Sequence, residues 1–141
     1  MSKRSNRQII PPGCVVLDSE GLSRHLKKSP EFKVHLANAV NEGREFAISF
    51  LTLGEGIDRA KVSIDRINYI RSTIHVVDGI EEDGILMGKL MDDSGKHGQK
   101  HTIDAAMCAM AIRIRAKRII TSDPTDLGPM LNGHGIEVEP I

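Results

Sequence analysis

Residues 101–127 read HTIDAAMCAMAIRIRAKRIITSDPTDL, and the fold turns on how that stretch is parsed. Thr102 is placed to open a helix with an acid, Asp104, in its first turn. Ala105, Ala106, Ala109 and Ile112 recur along one helical face, small enough to let a neighbouring element approach closely. A short β-branched run, Arg118 to Thr121, predicts a strand that closes on a second acid, Asp123. An acid at a helix start and another just past a strand end stand where open α/β sheets gather their ligands.

Working outward, the same layout recurs towards the N-terminus. Cys14-Val-Val-Leu17 is a continuous apolar run, as expected of a strand buried on both faces, and it runs directly into Asp18. Ser29-Pro30-Glu31 predicts a helix start, with Phe32, Leu36, Ala39 and Val40 as its apolar face and Gly43 as its end. His35, without a partner at ligand spacing, reads as a surface histidine. Phe46 to Phe50 predicts the second strand. Thr52-Leu-Gly-Glu55 matches a capping box, and the apolar spacing beyond it predicts one helix to about Arg71. Ile74 to Val77 is a third strand ending at Asp78. A helix is expected from about Glu82, a polar loop over 92–100, and a last edge strand over 136–138.

Alternating strands and helices, with crossovers long enough to join parallel neighbours, predict an α/β domain: a mostly parallel sheet of about five strands, flanked by helices in three layers. The expected division is a flexible N-terminal arm over 1–13 and one domain over 14–141. The arm carries Lys3, Arg4 and Arg7 and ends in Pro11-Pro12-Gly13.

Composition narrows the function classes. The formal net charge is +0, where proteins that bind nucleic acid mainly through phosphates are more often basic. Clustered acids in a metal site would offset cations elsewhere, so local patches count for more than the sum. With Phe 3, Tyr 1 and Trp 0, an aromatic single-strand platform is excluded as the main binding device. Cys14 and Cys108 are too few for a disulfide framework or a zinc site. His97 and His101 stand four apart, but Gly98 between them and the absence of an acid at the middle position argue against a helical zinc pair. No secretory leader or membrane span is read, so the expected location is cytoplasmic.

Asp18, Glu55, Asp104 and Asp123 share one address, the carboxyl edge of the expected sheet. Carboxylates that meet there repel one another unless a divalent cation neutralises them. All-oxygen donors select Mg²⁺ or Mn²⁺, ions that clamp a phosphodiester and activate water. Arg113 and Arg115, near the helix end, are either cations favoured by the macrodipole or contacts to nucleic-acid phosphates.

The succession VVLDS, AISFLTLGE, HTIDAAMCAMA and RIITSDPTDL resembles the PIN-domain ribonucleases, and among them the VapC-type toxins of bacterial toxin–antitoxin pairs. The resemblance runs from about Cys14 to Ile141. It implies a PIN-like nuclease domain cleaving single-stranded RNA with Mg²⁺ or Mn²⁺. Asp18, Glu55, Asp104 and Asp123 match the acidic metal-site positions. Ser19, Thr121 and Ser122 would support them, and Asp126 stands where some relatives carry a further acid. The implied partners are an RNA substrate, an antitoxin protein and a second copy of the chain. Glu20 departs from the family pattern, in which a neutral residue is expected.

Two other classes compete. A catalytically silent PIN-like binding or scaffold module would keep the fold without cleavage. An aspartate-based phosphatase would need Asp-x-Asp after the first strand, where Asp18-Ser19-Glu20 offers Glu. A receiver-like domain would need a Lys after the fifth strand, which residues 136–141 lack.

Overall fold

A computed structural model of the chain describes residues 8–60 and 63–141. Five strands form one all-parallel sheet: β1 (Val15–Leu17), β2 (Phe46–Ser49), β3 (Ile74–Val77), β4 (Arg118–Thr121) and β5 (Glu137–Pro140). Their order is β3-β2-β1-β4-β5. In the ladder Val16 stands beside Ala47 on one side and Ile119 on the other. The chain therefore steps one way from β1 and then the other, and the reversal falls between β1 and β4, where open sheets leave a crevice.

The three central strands, β1, β2 and β4, are buried at every residue, as their uninterrupted apolar runs require. Alternate residues serve opposite faces. Val15, Leu17, Phe46, Ile48 and Ile120 pack with Leu22, Phe32, Ala39 and Ile70, carried by α1 (Ser19–Leu26), a 3₁₀ turn (Pro30–Phe32), α2 (Lys33–Glu42) and α4 (Ile64–Thr73). Val16, Ala47, Val77 and Ile119 pack on the other face with α5 (Glu81–Ser94), α6 (Gln99–Arg113) and α7 (Pro124–Leu131). The expected three-layer PIN-like arrangement is what forms. Ala105, Cys108, Ala109 and Ala111 of α6 are wholly buried, so its small side chains let the helix lie close between the sheet and its neighbours. Burial pushes the Cys14 and Cys108 thiols up to about 11 and about 12, which keeps both as protonated packing groups.

Several local expectations are corrected. The helix after β2, α3 (Phe50–Ala60), begins directly at Phe50, so the capping box at Thr52 does not form. Ser49 Oγ accepts from Leu51 N instead (3.1 Å), and Thr52 is buried within the helix. The expected single helix to Arg71 is two, α3 and α4, the second capped by Ser63, which accepts from Arg66 N. Likewise α5 runs on to Ser94 and α6 starts at Gln99, leaving only a short turn where a nine-residue loop was expected. Thr102 is thus inside α6, its hydroxyl turned back on Gly98 O (3.2 Å). In α2 the buried positions are His35 and Ala39, following buried Phe32, while Leu36 and Val40 are exposed. His35 is therefore not a surface residue. Its ring lies against Phe32, with ring centroids 5.7 Å apart, and its Nδ1 stands 3.4 Å from Glu139 Oε2.

Within the segment expected to be an arm, residues 1–7 lie outside the described residues. Gln8 fastens to the edge strand: its amide nitrogen donates to Val76 O and its amide oxygen accepts from Asp78 N, both at 2.8 Å. No helix among the described residues is long and apolar enough to cross a membrane.

A charge network ties the sheet to α2 at the opposite end from the acids. Arg118, only 4% exposed, donates from both terminal nitrogens to the two Glu42 oxygens at 2.9 Å. Hydrogen bonds from Arg118 and then Arg44 hold the Glu42 carboxyl down at about 2. A carboxyl depressed by folding contributes stability above its unfolded value, and that contribution fades as pH falls towards the folded one. Glu42→Gln should therefore be less stable than wild type at neutral pH and match it near pH 2, as followed by thermal melts across that range. Equal stability at pH 7 would show that the pair contributes nothing.

Candidate metal centre

Asp18 follows β1 and caps α1. Its Oδ1 accepts from Gly21 N (2.7 Å). A side chain at position 21 would meet both this oxygen and Ile120 O at 3.3 Å, which is why glycine suits the site. Its Oδ2 accepts from Thr121 Oγ1 (2.8 Å) and Ser122 N (2.9 Å). Thr121 Oγ1 in turn accepts from Asp123 N (2.9 Å), which leaves its one proton for Asp18. The end of β4 thereby clamps the acid that ends β1, and Asp18 is buried and fixed in direction.

Asp104 comes from the other layer. Because α6 starts at Gln99, Asp104 sits in its second turn rather than its first, half-buried beside the crevice. Its carboxyl is pushed up to about 6, first by burial and then by the charges of Asp123 and Asp126, opposed by His101, with Asp18 the least of the raising influences. That perturbation records convergence: groups far apart in sequence act on one carboxyl. Asp123 precedes α7 with an exposed side chain that makes no capping hydrogen bond, and so is available to a ligand. Asp126, in the first turn of α7, pairs with Lys96 Nζ at 3.4 Å.

Glu55 falls in the second turn of α3, partly exposed and relieved of the capping role read for it. It is not among the charges that shift Asp104. Ser19 is the first residue of α1. Glu20 is engaged elsewhere, accepting from Arg24 Nε at 2.7 Å, and Arg24 also pairs with Glu31.

Arg113 and Arg115 are not brought to the acids. Arg113 is the last residue of α6, more than two turns past Asp104, and Arg115 follows the helix. Arg113 donates to both Asp83 oxygens (2.7 and 3.0 Å) and to Asp78 O (2.9 Å), a structural clamp on the start of α5. Arg115 is exposed in a left-handed turn at φ 57, its carbonyl accepting from Gly13 N.

Sequence reasoning missed His101. Together with Asp104 and Asp126 it offers ligand atoms that all lie within 4.8 Å of one another. Its spacing of three from Asp104 on one helix was the available signal. Treating 92–100 as loop, and testing His101 only against His97, hid it.

The elements α6 and α7 thus bring His101, Asp104 and Asp126 together. Hard oxygen donors predominate, a set suited to a divalent cation. A groove of about 390 Å³ runs instead along β3, lined by Gln8, Leu53, Arg71, His75 and Asp78 among others.

Solved structures with this fold include a DNA-bound VapBC from Salmonella typhimurium, at 20% identity over 91% of this chain and 98% of that one, TM-score 0.67. VapBC2 from Rickettsia felis, bound to a DNA fragment from its promoter, matches at 16% identity over the same shares, TM-score 0.65. A toxin–antitoxin complex from Klebsiella pneumoniae matches at 20% identity over 86% and 94%, TM-score 0.64. The fold is the PIN-like fold. In this chain Asp18 follows the first strand and Asp123 the fourth, the two strands that flank the switch point. No protein-family model matches the chain, and no curated protein matches it.

Proposed function

We propose that the chain is a metal-dependent endoribonuclease of the PIN-domain, VapC-like type, cleaving phosphodiester bonds of single-stranded RNA as the toxin of a toxin–antitoxin pair in the cytoplasm. What supports this reading is that the charges of Asp123, Asp126 and Asp18, carried by other elements, act on the half-buried Asp104 carboxyl, with Asp18 and Asp123 following the two strands that flank the topological switch point. The likeness to complexes named as toxin–antitoxin pairs supports the biological half of it. An antitoxin and a second copy of the chain are the partners that go with it.

The donor set fits Mg²⁺ or Mn²⁺: Asp18, Asp104 and Asp123 would hold the ion, with Asp126 beside Asp104 and Glu55 the fourth acid the resemblance implies. When bound, such an ion supplies a Lewis acid for the phosphodiester and an activated water. The chain's own residues do the rest. Thr121 and the Ser122 amide fix the direction of the Asp18 carboxylate, so that its lone pairs need no reorientation. Burial keeps Asp104 poorly solvated, so a cation gains more by entering than it would against a fully hydrated carboxylate. Asp123, exposed at the mouth, is placed to complete the site from the solvent side.

Purified protein should fragment a mixed RNA pool in Mn²⁺ or Mg²⁺ and leave it whole in EDTA. Asp123→Asn should lose about 10²-fold in rate or more while melting like wild type, because its carboxylate supports no capping bond. RNA left intact by the wild type with both ions, over a range of single-stranded substrates, would overturn the nuclease reading.

A further inference from the structure

The acids implied by the resemblance do not exhaust the donors at the crevice. His101 lies one turn before Asp104 on α6, and α7 brings Asp126 against both. The three ligand atoms lie within 4.8 Å of one another, yet His101 makes neither a hydrogen bond nor an ion pair with either carboxylate. Donors gathered within that limit are near enough to share one ion bonded at roughly 2.1 Å to each. A second observation concerns the ring itself. Its Nδ1 is sealed from solvent without a hydrogen-bond partner among the described residues, so the imidazole is held in place by packing and not by a polar contact.

We infer that His101, Asp104 and Asp126 form a mixed nitrogen–oxygen cation subsite that takes a first-row transition ion such as Mn²⁺ in preference to Mg²⁺. Imidazole adds affinity for borderline ions and little for Mg²⁺, which keeps to oxygen donors and holds its water. Lys96, with Nζ 3.4 Å from Asp126 Oδ1, is the resident cation of the site, and an entering ion displaces it. The inference rests on the proposed nuclease only for its purpose, since the ion would serve the same crevice. The binding itself is independent of cleavage.

Calorimetric titration of the full chain with Mn²⁺ and with Mg²⁺ should show tighter Mn²⁺ binding. His101→Gln should weaken Mn²⁺ roughly tenfold or more and Mg²⁺ by less than about twofold. Pulsed EPR of the Mn²⁺-loaded wild type should show coupling to an imidazole nitrogen, lost in His101→Gln. Equal weakening of both ions, or Mn²⁺ without nitrogen coupling, would overturn the inference. Should His101→Gln not fold, the wild-type EPR decides alone. RNA cleavage without nitrogen coupling would leave the nuclease standing and remove the subsite. Nitrogen-coupled Mn²⁺ on a chain that cleaves nothing would do the reverse.

Discussion

In EDTA at pH 8, Asp104→Asn should melt above the wild type. The Asp104 carboxyl sits at about 6 in the folded chain against an ordinary 3.8, because burial and the charges of Asp123, Asp126 and Asp18 oppose its ionisation. An acid raised by folding binds more protons folded than unfolded, so stability falls as pH rises through the window between those two values. The penalty is absent below about pH 4 and complete above about pH 7, and it amounts to about 1–3 kcal/mol. Asparagine carries no charge and escapes it, which should raise the melting temperature by roughly 3–8 °C. The gain should vanish near pH 4, where the wild-type carboxyl is protonated as well.

Saturating Mn²⁺ should reverse the order. An ion that binds only the folded wild type adds about 2.7 kcal/mol at a hundred times its dissociation constant, and Asp104→Asn should forgo most of that. The same variant should lose RNA cleavage. Differential scanning fluorimetry over pH 4–8, with and without Mn²⁺, reads all of this in one experiment. A variant less stable than wild type at pH 8 in EDTA would mean that Asp104 acts as a structural helix residue and not as a strained ligand.

Asp18→Asn should behave in the opposite way, although both residues are proposed ligands of one site. Asp18 accepts from Gly21 N, Thr121 Oγ1 and Ser122 N, so both of its oxygens are held by the chain's own donors. Asparagine has one acceptor oxygen, and its amide must face at least one of those donors. The loss of a helix cap or of the clamp from β4 costs about 2–4 kcal/mol. Asp18→Asn should therefore melt well below wild type in EDTA and in Mn²⁺ alike, and its cleavage rate should fall about 10²-fold or more. Melts that coincide with wild type would show that the hydrogen bonds drawn to Asp18 contribute little in solution. Measured side by side, the two variants separate a ligand the fold already satisfies from one that waits for its cation.

The strands were legible because their signal is local. Val15 to Leu17 and Ile119 to Thr121 are continuous buried runs rich in β-branched residues, and in a sheet covered on both faces such runs have few alternatives. Each run is followed within two residues by an acid, so Asp18 and Asp123 could be placed at the carboxyl edge from the sequence. The start points of helices were legible only where nothing competed. At Thr52 and Thr102 a capping signal was present, but the helices extend past it, to Phe50 and Gln99. Burial of Thr52 and the close packing of the α6 alanines outweigh a cap contribution of about 1 kcal/mol. The face of α2 was misread for a similar reason: His35 is buried against Phe32 and near Glu139, a contact no periodicity predicts.

By itself the sequence determined the alternation of elements, the parallel sheet and the order of the acids along the chain, because strand character and turn chemistry are properties of short windows. Which acids meet was decided only by the tertiary structure. The first turns of α6 bring His101 and Asp104 together, α7 adds Asp126, and the turn before α6 brings in Lys96. The same packing commits Arg113 to Asp83, thirty positions away, and removes it from the crevice. Charges act through space and not along the chain, so the site's electrostatics exist only once those helices have docked.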